Sequence, residues 1–302
     1  MTGQPQESTP SDAPVAAVAV VLRTRNRPQL LPRALASIGA QTFRDFRVIV
    51  VNDGGDEGPV LEQVAACPAV RGQVDVVTNP QSVGREAAMN TGVTHSRSEF
   101  LVIHDDDDTW HPEFLAATVG HLQDSTDAAV AVRTEVVYEE LTPEGVVEIR
   151  REILAADKSA ITLGEVLRAN ISPPISVLYR RSVHDEVGLY DGTLPVLADW
   201  DFMLRLLSVH TVGFVDGPPL AYWATASSSP ATTTRATSGS SATATCAPPW
   251  PPRVASASGS TSPPSRSAST PWRSVATNTW IGVSGRSKGG SWPASRRPTG
   301  SS

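Results

Sequence analysis

Val15 to Leu22 is an unbroken run of small apolar residues, the pattern of a strand covered on both faces. The polar stretch Arg23-Thr-Arg-Asn-Arg27 breaks it, and Pro28 suits the first turn of a helix. Leu31, Ala34, Leu35 and Ile38 then follow helical spacing until Gly39 to Thr42 ends the element. A second strand, Phe46 to Val51, runs into Asn52-Asp-Gly-Gly55. A third, Val74 to Thr78, precedes Asn79-Pro80 and a helix from about Arg85 to Thr94. A fourth, Phe100 to Ile103, leads into Asp105-Asp-Asp-Asp108 and a helix from Pro112 to about Leu122. Repeated strand-then-helix units predict a parallel sheet with helices on both faces and right-handed crossovers. Ligands of such sheets bind outside the carboxyl ends of the strands. Here those ends carry Thr24 to Arg27, Asp53, Asn79 to Arg85 and Asp105 to Asp108.

The second half reads as a mixed-sheet continuation of the same domain. Ala128 to Tyr138 and Val146 to Arg150 predict a hairpin around Thr142-Pro-Glu-Gly145. A short helix near Leu163 to Ala169 follows, then a strand near Ser176 to Tyr179, a helix from about Asp199 to Ser208 and a last strand, Val212 to Val215.

Four consecutive carboxylates at the end of a buried strand repel one another, and some would stay protonated unless a cation neutralised them. A metal ion is the economical explanation. A calcium-binding EF-hand loop starting at Asp105 would need Gly at its sixth position and Glu at its twelfth; the chain has Trp110 and Ala116 there. The segment Asp105 to Thr109 also fits the Asp-x-Asp-x-Thr nucleophile loop of haloacid-dehalogenase-like phosphatases. Those carry it after the first strand and require a lysine, whereas Lys158 is the only lysine before residue 224.

Charge divides the chain. All 31 Asp and Glu lie at or before Asp216, so residues 1–223 hold 17 basic against 31 acidic side chains, a net of −14, while residues 224–302 carry +8. Cys67 and Cys246 have no ligand-like spacing, which argues against a disulfide framework or a zinc site and suits a reducing cytoplasm. Met1 to Ala13 is polar, without the charged start and apolar run of a signal peptide, and no segment reaches the roughly 18 apolar residues of a membrane span. Any membrane attachment is expected to be peripheral, at the inner face. Nothing points to nucleic acid.

Five segments resemble the family-2 inverting glycosyltransferases, which have the GT-A fold and use nucleotide-sugar donors. They are Arg23-Thr-Arg-Asn-Arg-Pro28 with Leu35 to Thr42, Val50-Val-Asn-Asp-Gly-Gly-Asp56, Gly84-Arg-Glu-Ala-Ala-Met-Asn-Thr-Gly92, Ile103 to Pro112 and Leu197-Ala-Asp-Trp-Asp-Phe-Met-Leu-Arg205. They occur in family order over roughly residues 15 to 223. The resemblance implies an α/β, GT-A-like (Rossmann-like) mixed sheet with a parallel N-terminal half over residues 14–223. It also implies an enzyme that transfers a sugar to an acceptor hydroxyl in surface glycan synthesis, with a UDP- or dTDP-sugar as donor. The acceptor would be a glycan, a lipid-linked sugar or another hydroxyl compound.

Carried over by position, Asp53 would contact the nucleotide base, with Thr24, Arg25 and Asn26 lining the same pocket and Arg85 pairing with a phosphate. Asp105 and Asp107 match the outer positions of the family's DXD: Asp105 would reach the ribose or the metal's hydration shell, Asp107 would ligate Mn2+ or Mg2+, and Asp108 would support them. Asp199 matches the general base. Plainer roles exist for each: a turn for Asp53, a helix N-cap for Asp199, a helix-surface charge for Asp201, packing for Trp110, core or surface for His104 and His111, and a solvated charge for Arg85. The chain departs from the family at Met89, where Arg often stands, and at Ala198, where Glu commonly precedes the base. It lacks the Gln-x-x-Arg-Trp motif of processive synthases.

Beyond Trp223 the composition collapses into Ser, Thr, Ala, Pro and Arg, too little apolar surface to offset ordering entropy. Residues 1–13 are expected to be a disordered leader and residues 224–302 a disordered tail. The abrupt loss of every acid and of any His after Trp223, where the family often places a metal-binding His, suggests an out-of-frame reading of a GC-rich gene. On that reading this polypeptide would be an impaired or inactive glycosyltransferase-like protein.

Overall fold

The computed structural model describes residues 15–142 and 145–226. The leader over 1–13, and the tail beyond Ala226 with the reading-frame hypothesis attached to it, lie outside the described residues.

The chain runs β1 (Val18–Thr24), α1 (Leu31–Gly39), β2 (Phe46–Asp53), α2 (Glu57–Ala65), β3 (Val74–Asn79), α3 (Arg85–His95), β4 (Phe100–Asp105), β5 (Thr109–Trp110) and α4 (Phe114–Asp124). It continues with β6 (Ala129–Val132), β7 (Thr134–Thr142), β8 (Gly145–Ile153), α5 (Leu163–Val166), β9 (Val177–Arg180), α6 (Val183–Val187), α7 (Ala198–Val209), β10 (Val212–Val215) and β11 (Ala221–Ala226). Seven strands form the main sheet in the order β10-β6-β9-β4-β1-β2-β3. Only β9 runs against its neighbours, β4 and β6. A second sheet has the order β5-β11-β7-β8. The expected α/β fold with a mixed sheet and a parallel N-terminal half is therefore present.

Period-two alternation of a fully apolar strand accounts for the two cores. Every residue of β1 is buried. Val18, Val20 and Leu22 join Leu31, Leu35, Ile38 and Phe114 on one face, while Ala19 and Val21 join Met89, Val93, Phe202 and Leu206 on the other. Helix α3 reaches the sheet because residue 92 is glycine: a Cβ there would overlap Val21 Cγ1 and stand 3.1 Å from Val51 Cγ2.

Several elements differ from expectation for identifiable reasons. Helix α2 buries only Val60, so it shows almost no apolar stripe. The run from Ala128 to Tyr138 is two strands: β6 belongs to the main sheet, and after Arg133 the chain crosses to the second sheet as β7, which pairs with β8. Pro28 precedes α1 as a turn residue, its carbonyl accepting from Leu31 N, and Pro32 occupies the first turn. Strand β11 extends three residues past the expected domain boundary at 223. Cys67 is buried, at 1% exposure; the other cysteine, Cys246, lies outside the described residues. Among the described residues no helix is long and apolar enough to cross a membrane.

Candidate active site

The parallel register brings the carboxyl ends of β1, β2 and β4 level, with Thr24 opposite Asn52 and Arg23 opposite Asp105. A cavity of about 520 Å³ opens beyond these ends. Arg23, Arg25, Arg27, Arg85, Asp53, Asp105 and Asp107 bring the charge to its lining, and Trp223 to Thr225 of β11 close one side. Four guanidiniums facing three carboxylates suit a ligand that carries phosphates and is bound with a cation.

Asp53 ends β2, and its carboxylate is fully engaged. It accepts from Asn79 Nδ2 (2.9 Å), Ser82 Oγ (2.7 Å) and the backbone N–H groups of Val83 (2.9 Å) and Gly84 (3.2 Å). Burial works to raise its pKa, but these hydrogen bonds, led by Ser82, outweigh it and hold the group below its ordinary value. The carboxylate thereby fixes the loop over 79–84 that delivers Arg85 and the start of α3 to the cavity. Gly54, at φ 74°, passes so close to Ser82 N that a Cβ would overlap it.

The four acids after β4 occupy different environments. Asp105 faces the cavity and accepts from Arg23 Nε at 2.8 Å; Arg23 also donates to the carbonyl of Arg85 at 3.0 Å. Asp106 is fully buried, accepting from Thr24 Oγ1 at 2.7 Å and pairing with Arg27. Asp107 is part-exposed and accepts from Arg27 Nη1 at 3.0 Å. Asp108 is buried and accepts from the backbone N–H of Ala224 at 2.8 Å, which ties β11 to the cluster. Burial pushes Asp106 up to about 7, against the opposing pull of Arg27. Burial, reinforced by Asp105, raises Asp107, and burial, reinforced by Asp107 and Asp105, raises Asp108 well above the usual carboxylate range.

Asp105, Asp107 and Asp108 can each present one oxygen with all three within 4.8 Å of one another. A compact set of hard carboxylate oxygens fits Mg2+ or Mn2+.

Of the residues singled out from sequence, Thr24, Arg25, Asp53, Arg85, Asp105 and Asp107 share this cavity. Asn26 belongs to the same loop at φ 54° but is not in the lining. Asp199, in the first turn of α7, lines a small neighbouring void with Tyr179, Tyr190 and Phe202, where it accepts from Asn170 Nδ2 at 2.9 Å. Asp201 is a helix-surface charge, paired with Arg205 one turn on at 2.8 Å. Trp110 packs in the core: it is fully buried, stacks on Phe114 and donates through Nε1 to the carbonyl of Ile175. His104 is equally buried, its Nδ1 donating to the carbonyl of Asp105 at 2.6 Å. Lys158 pairs with Asp157 and Glu165 outside the cavity, so the lysine that a phosphatase would need is not at these acids.

Arg23 and Arg27 are the partners that sequence reasoning did not assign to particular acids. The alternation of Arg23, Arg25 and Arg27 with Thr24 and Asn26 at a strand end was the available signal, but a lone chain does not say which carboxylate each would meet.

Residues 19–188 match the model of Glycosyl transferase family 2. An uncharacterised glycosyltransferase of Bacillus subtilis, YwdF, is 28% identical over 197 residues, covering 65% of this chain and 69% of that protein. Among solved structures, S. aureus TarS 1-349 in complex with UDP-GlcNAc is similar at a TM-score of 0.56 and 17% identity, covering 69% of this chain and 58% of that one. The mannosyltransferase PcManGT of Pyrobaculum calidifontis, in complex with GDP-Man and Mn2+, is similar at a TM-score of 0.51 and 19% identity, covering 74% and 60%.

Proposed function

The chain belongs to glycosyl transferase family 2, and from that premise we propose that it is a metal-dependent, inverting glycosyltransferase of the GT-A type. It would move a sugar from a UDP- or dTDP-linked donor to an acceptor hydroxyl in surface glycan synthesis. The observation that carries this reading is the convergence of Asp53, Arg85, Asp105, Asp107 and the arginines of the β1–α1 loop on one cavity at the carboxyl edge of the sheet. The ligands of the similar structures, UDP-GlcNAc in one and GDP-Man with Mn2+ in the other, have the chemistry this cavity suits.

The residues then divide the work. The loop held by Asp53 forms the floor for the nucleoside, and Thr24 and Arg25 border it, with Asn26 shaping their loop from outside the lining. Arg85, Arg25 and Arg27 offer charge-assisted hydrogen bonds to the diphosphate. Asp105 and Asp107, with Asp108 behind them, would hold Mn2+ or Mg2+, which when bound supplies Lewis-acid stabilisation of the leaving diphosphate. Asp199 takes the proton of the acceptor hydroxyl as that oxygen attacks the anomeric carbon from the face opposite the departing phosphate, so configuration inverts. Its hydrogen bond from Asn170 orients the carboxylate and leaves one oxygen, Oδ1, for this role.

A thermal-shift panel of nucleoside diphosphates with and without Mn2+ tests the reading. Stabilisation by one nucleotide that requires Mn2+ and disappears in Asp107→Ala is the expected result. Indifference to every nucleotide would overturn it and favour the impaired-enzyme reading, which would then be examined by translating the gene's other two frames beyond Trp223.

A further inference from the structure

Two arginines answer the acids of this site, and their environments differ. Arg23 is locked: its side chain is 7% exposed, and it bonds both Asp105 and the carbonyl of Arg85. Arg27 stands on the loop between β1 and α1, with its side chain 46% exposed. Its guanidinium forks across Asp106 and Asp107, with Nη1 at 3.0 Å from Asp107 Oδ2. Asp107 is one of the three acids able to converge on a cation. Arg27 therefore holds, as a covalently tethered cation, one of the two oxygens that Asp107 could offer a divalent ion. It also lines the 520 Å³ cavity and a smaller one of about 170 Å³ beside it, so space into which the guanidinium can swing exists on both sides.

A divalent ion arriving at Asp107 meets the like charge of this guanidinium and competes with it for the carboxylate. Arg27 released from Asp107 remains anchored to buried Asp106 or turns into the cavity, where the diphosphate would present oxygens to it. Asp106 is also held from the other side by Thr24 Oγ1 at 2.7 Å. Arg23 has no such freedom, since leaving Asp105 would strand a buried charge.

We propose that Arg27 is an exchangeable internal counter-ion: it holds Asp107 while the site is empty, yields that oxygen to a divalent cation, and is retained by the donor's diphosphate once the cation is in place. Cation and nucleotide binding are thereby coupled through one guanidinium, and each raises the affinity for the other by the same factor. The inference rests on the metal-dependent reading above and assigns Arg27 as a positioning residue within it.

The test is calorimetric titration of the full chain with Mn2+ alone, with UDP alone and with each in the presence of the other, for wild type, Arg27→Gln and Arg27→Lys. For Arg27→Gln, affinity for Mn2+ alone should rise about tenfold, the scale of one charge-assisted hydrogen bond no longer competing. The factor by which UDP improves Mn2+ affinity should shrink correspondingly. Arg27→Lys keeps the tethered charge and should stay within about threefold of wild type for Mn2+ alone, which separates charge competition from loosening of the loop. Unchanged or weaker Mn2+ binding in Arg27→Gln, while wild type binds Mn2+, overturns the assignment of Arg27 alone. Absence of Mn2+ binding in every protein, with and without UDP, overturns the metal-dependent reading and the exchange with it.

Discussion

Asn90 and Tyr190 bind each other twice across a hundred residues of sequence: Asn90 Nδ2 donates to the carbonyl of Tyr190 at 2.8 Å, and Tyr190 N donates to Asn90 Oδ1 at 3.1 Å. The pair joins α3, whose first turn borders the donor cavity, to the segment that leads into α7 and Asp199. Asn90→Ala removes both bonds and leaves two backbone groups in part-buried surroundings. A destabilisation of roughly 1–3 kcal/mol is expected. If the pair positions α7, transfer should fall further than nucleotide affinity, which urea unfolding and initial-rate kinetics measured together would reveal.

Asp53 offers a sharper contrast between charge and shape. An amide of the same size in Asp53→Asn would turn its NH2 toward one of two donor pairs, Asn79 Nδ2 with Val83 N or Ser82 Oγ with Gly84 N, and each pair includes a backbone N–H that cannot reorient. The variant should lose roughly 1–3 kcal/mol, and the loop carrying Arg85 should loosen, weakening UDP binding. The pH dependence has a definite sign. Because the folded-state pKa lies below the ordinary value, Asp53 contributes its stability above the unfolded value, about 3.9, and loses it as pH falls through the folded value. Acid unfolding followed by circular dichroism should show a shallower fall below about pH 4 in Asp53→Asn than in wild type.

Asp106 has the opposite sign. Burial lifts it to about 7, so in the cation-free protein its contribution to stability is complete below the unfolded value, about 3.9, and is lost as pH rises toward 7. Asp106→Asn is neutral at all pH, can still accept from Arg27, and can donate to Thr24 Oγ1. Its stability relative to wild type should therefore improve steadily from pH 4 to 7 and then level off. Urea midpoints at four pH values in chelator check this; a difference independent of pH would refute it.

Much of this architecture was legible because the sheet's strands are saturated with apolar residues. Runs such as Val48 to Val51 and Phe100 to Ile103 have no amphipathic ambiguity, and the acids and glycines that end them mark the edge where ligands bind. The elements that escaped detection carry weak local signals. Helix α2 buries one side chain, β5 has two residues, and the crossing between sheets at Arg133 interrupts an otherwise continuous β pattern. The acids of the site could be named from the chain, but not the division among them. That Asp106 is a buried partner of Thr24, and Asp108 a receiver for Ala224 N, depends on register and on a strand that returns more than a hundred residues later. Such pairings leave no trace in local spacing.

Gly92 shows a constraint of packing where sequence resemblance marked only a motif. Gly92→Ala would drive a methyl into Val21 and Val51 and lift α3 from the sheet. A loss of about 1–3 kcal/mol is the usual penalty for overpacking a core. Because α3 begins at Gly84 and Arg85, the displacement should also weaken nucleotide binding. Gly120, where an added Cβ meets nothing within 4 Å, is the control: Gly120→Ala should be neutral or slightly stabilising in the same thermal melt, since alanine favours the helix interior.

Asp199 decides between catalysis and scaffolding. It lines a void separate from the donor cavity and accepts a hydrogen bond from Asn170, so removing its charge without changing its size should leave UDP binding intact. If it is the base, Asp199→Asn should reduce transfer by about 10²- to 10⁴-fold while the UDP dissociation constant and melting temperature stay near wild type. Asn170→Ala should produce a smaller rate loss of the same kind, because it leaves the carboxylate present but unoriented. Loss of UDP binding and of fold stability together in Asp199→Asn would make the residue structural, an anchor of α7 held through Asn170. The proton acceptor would then have to be sought among other groups at the mouth of the cavity.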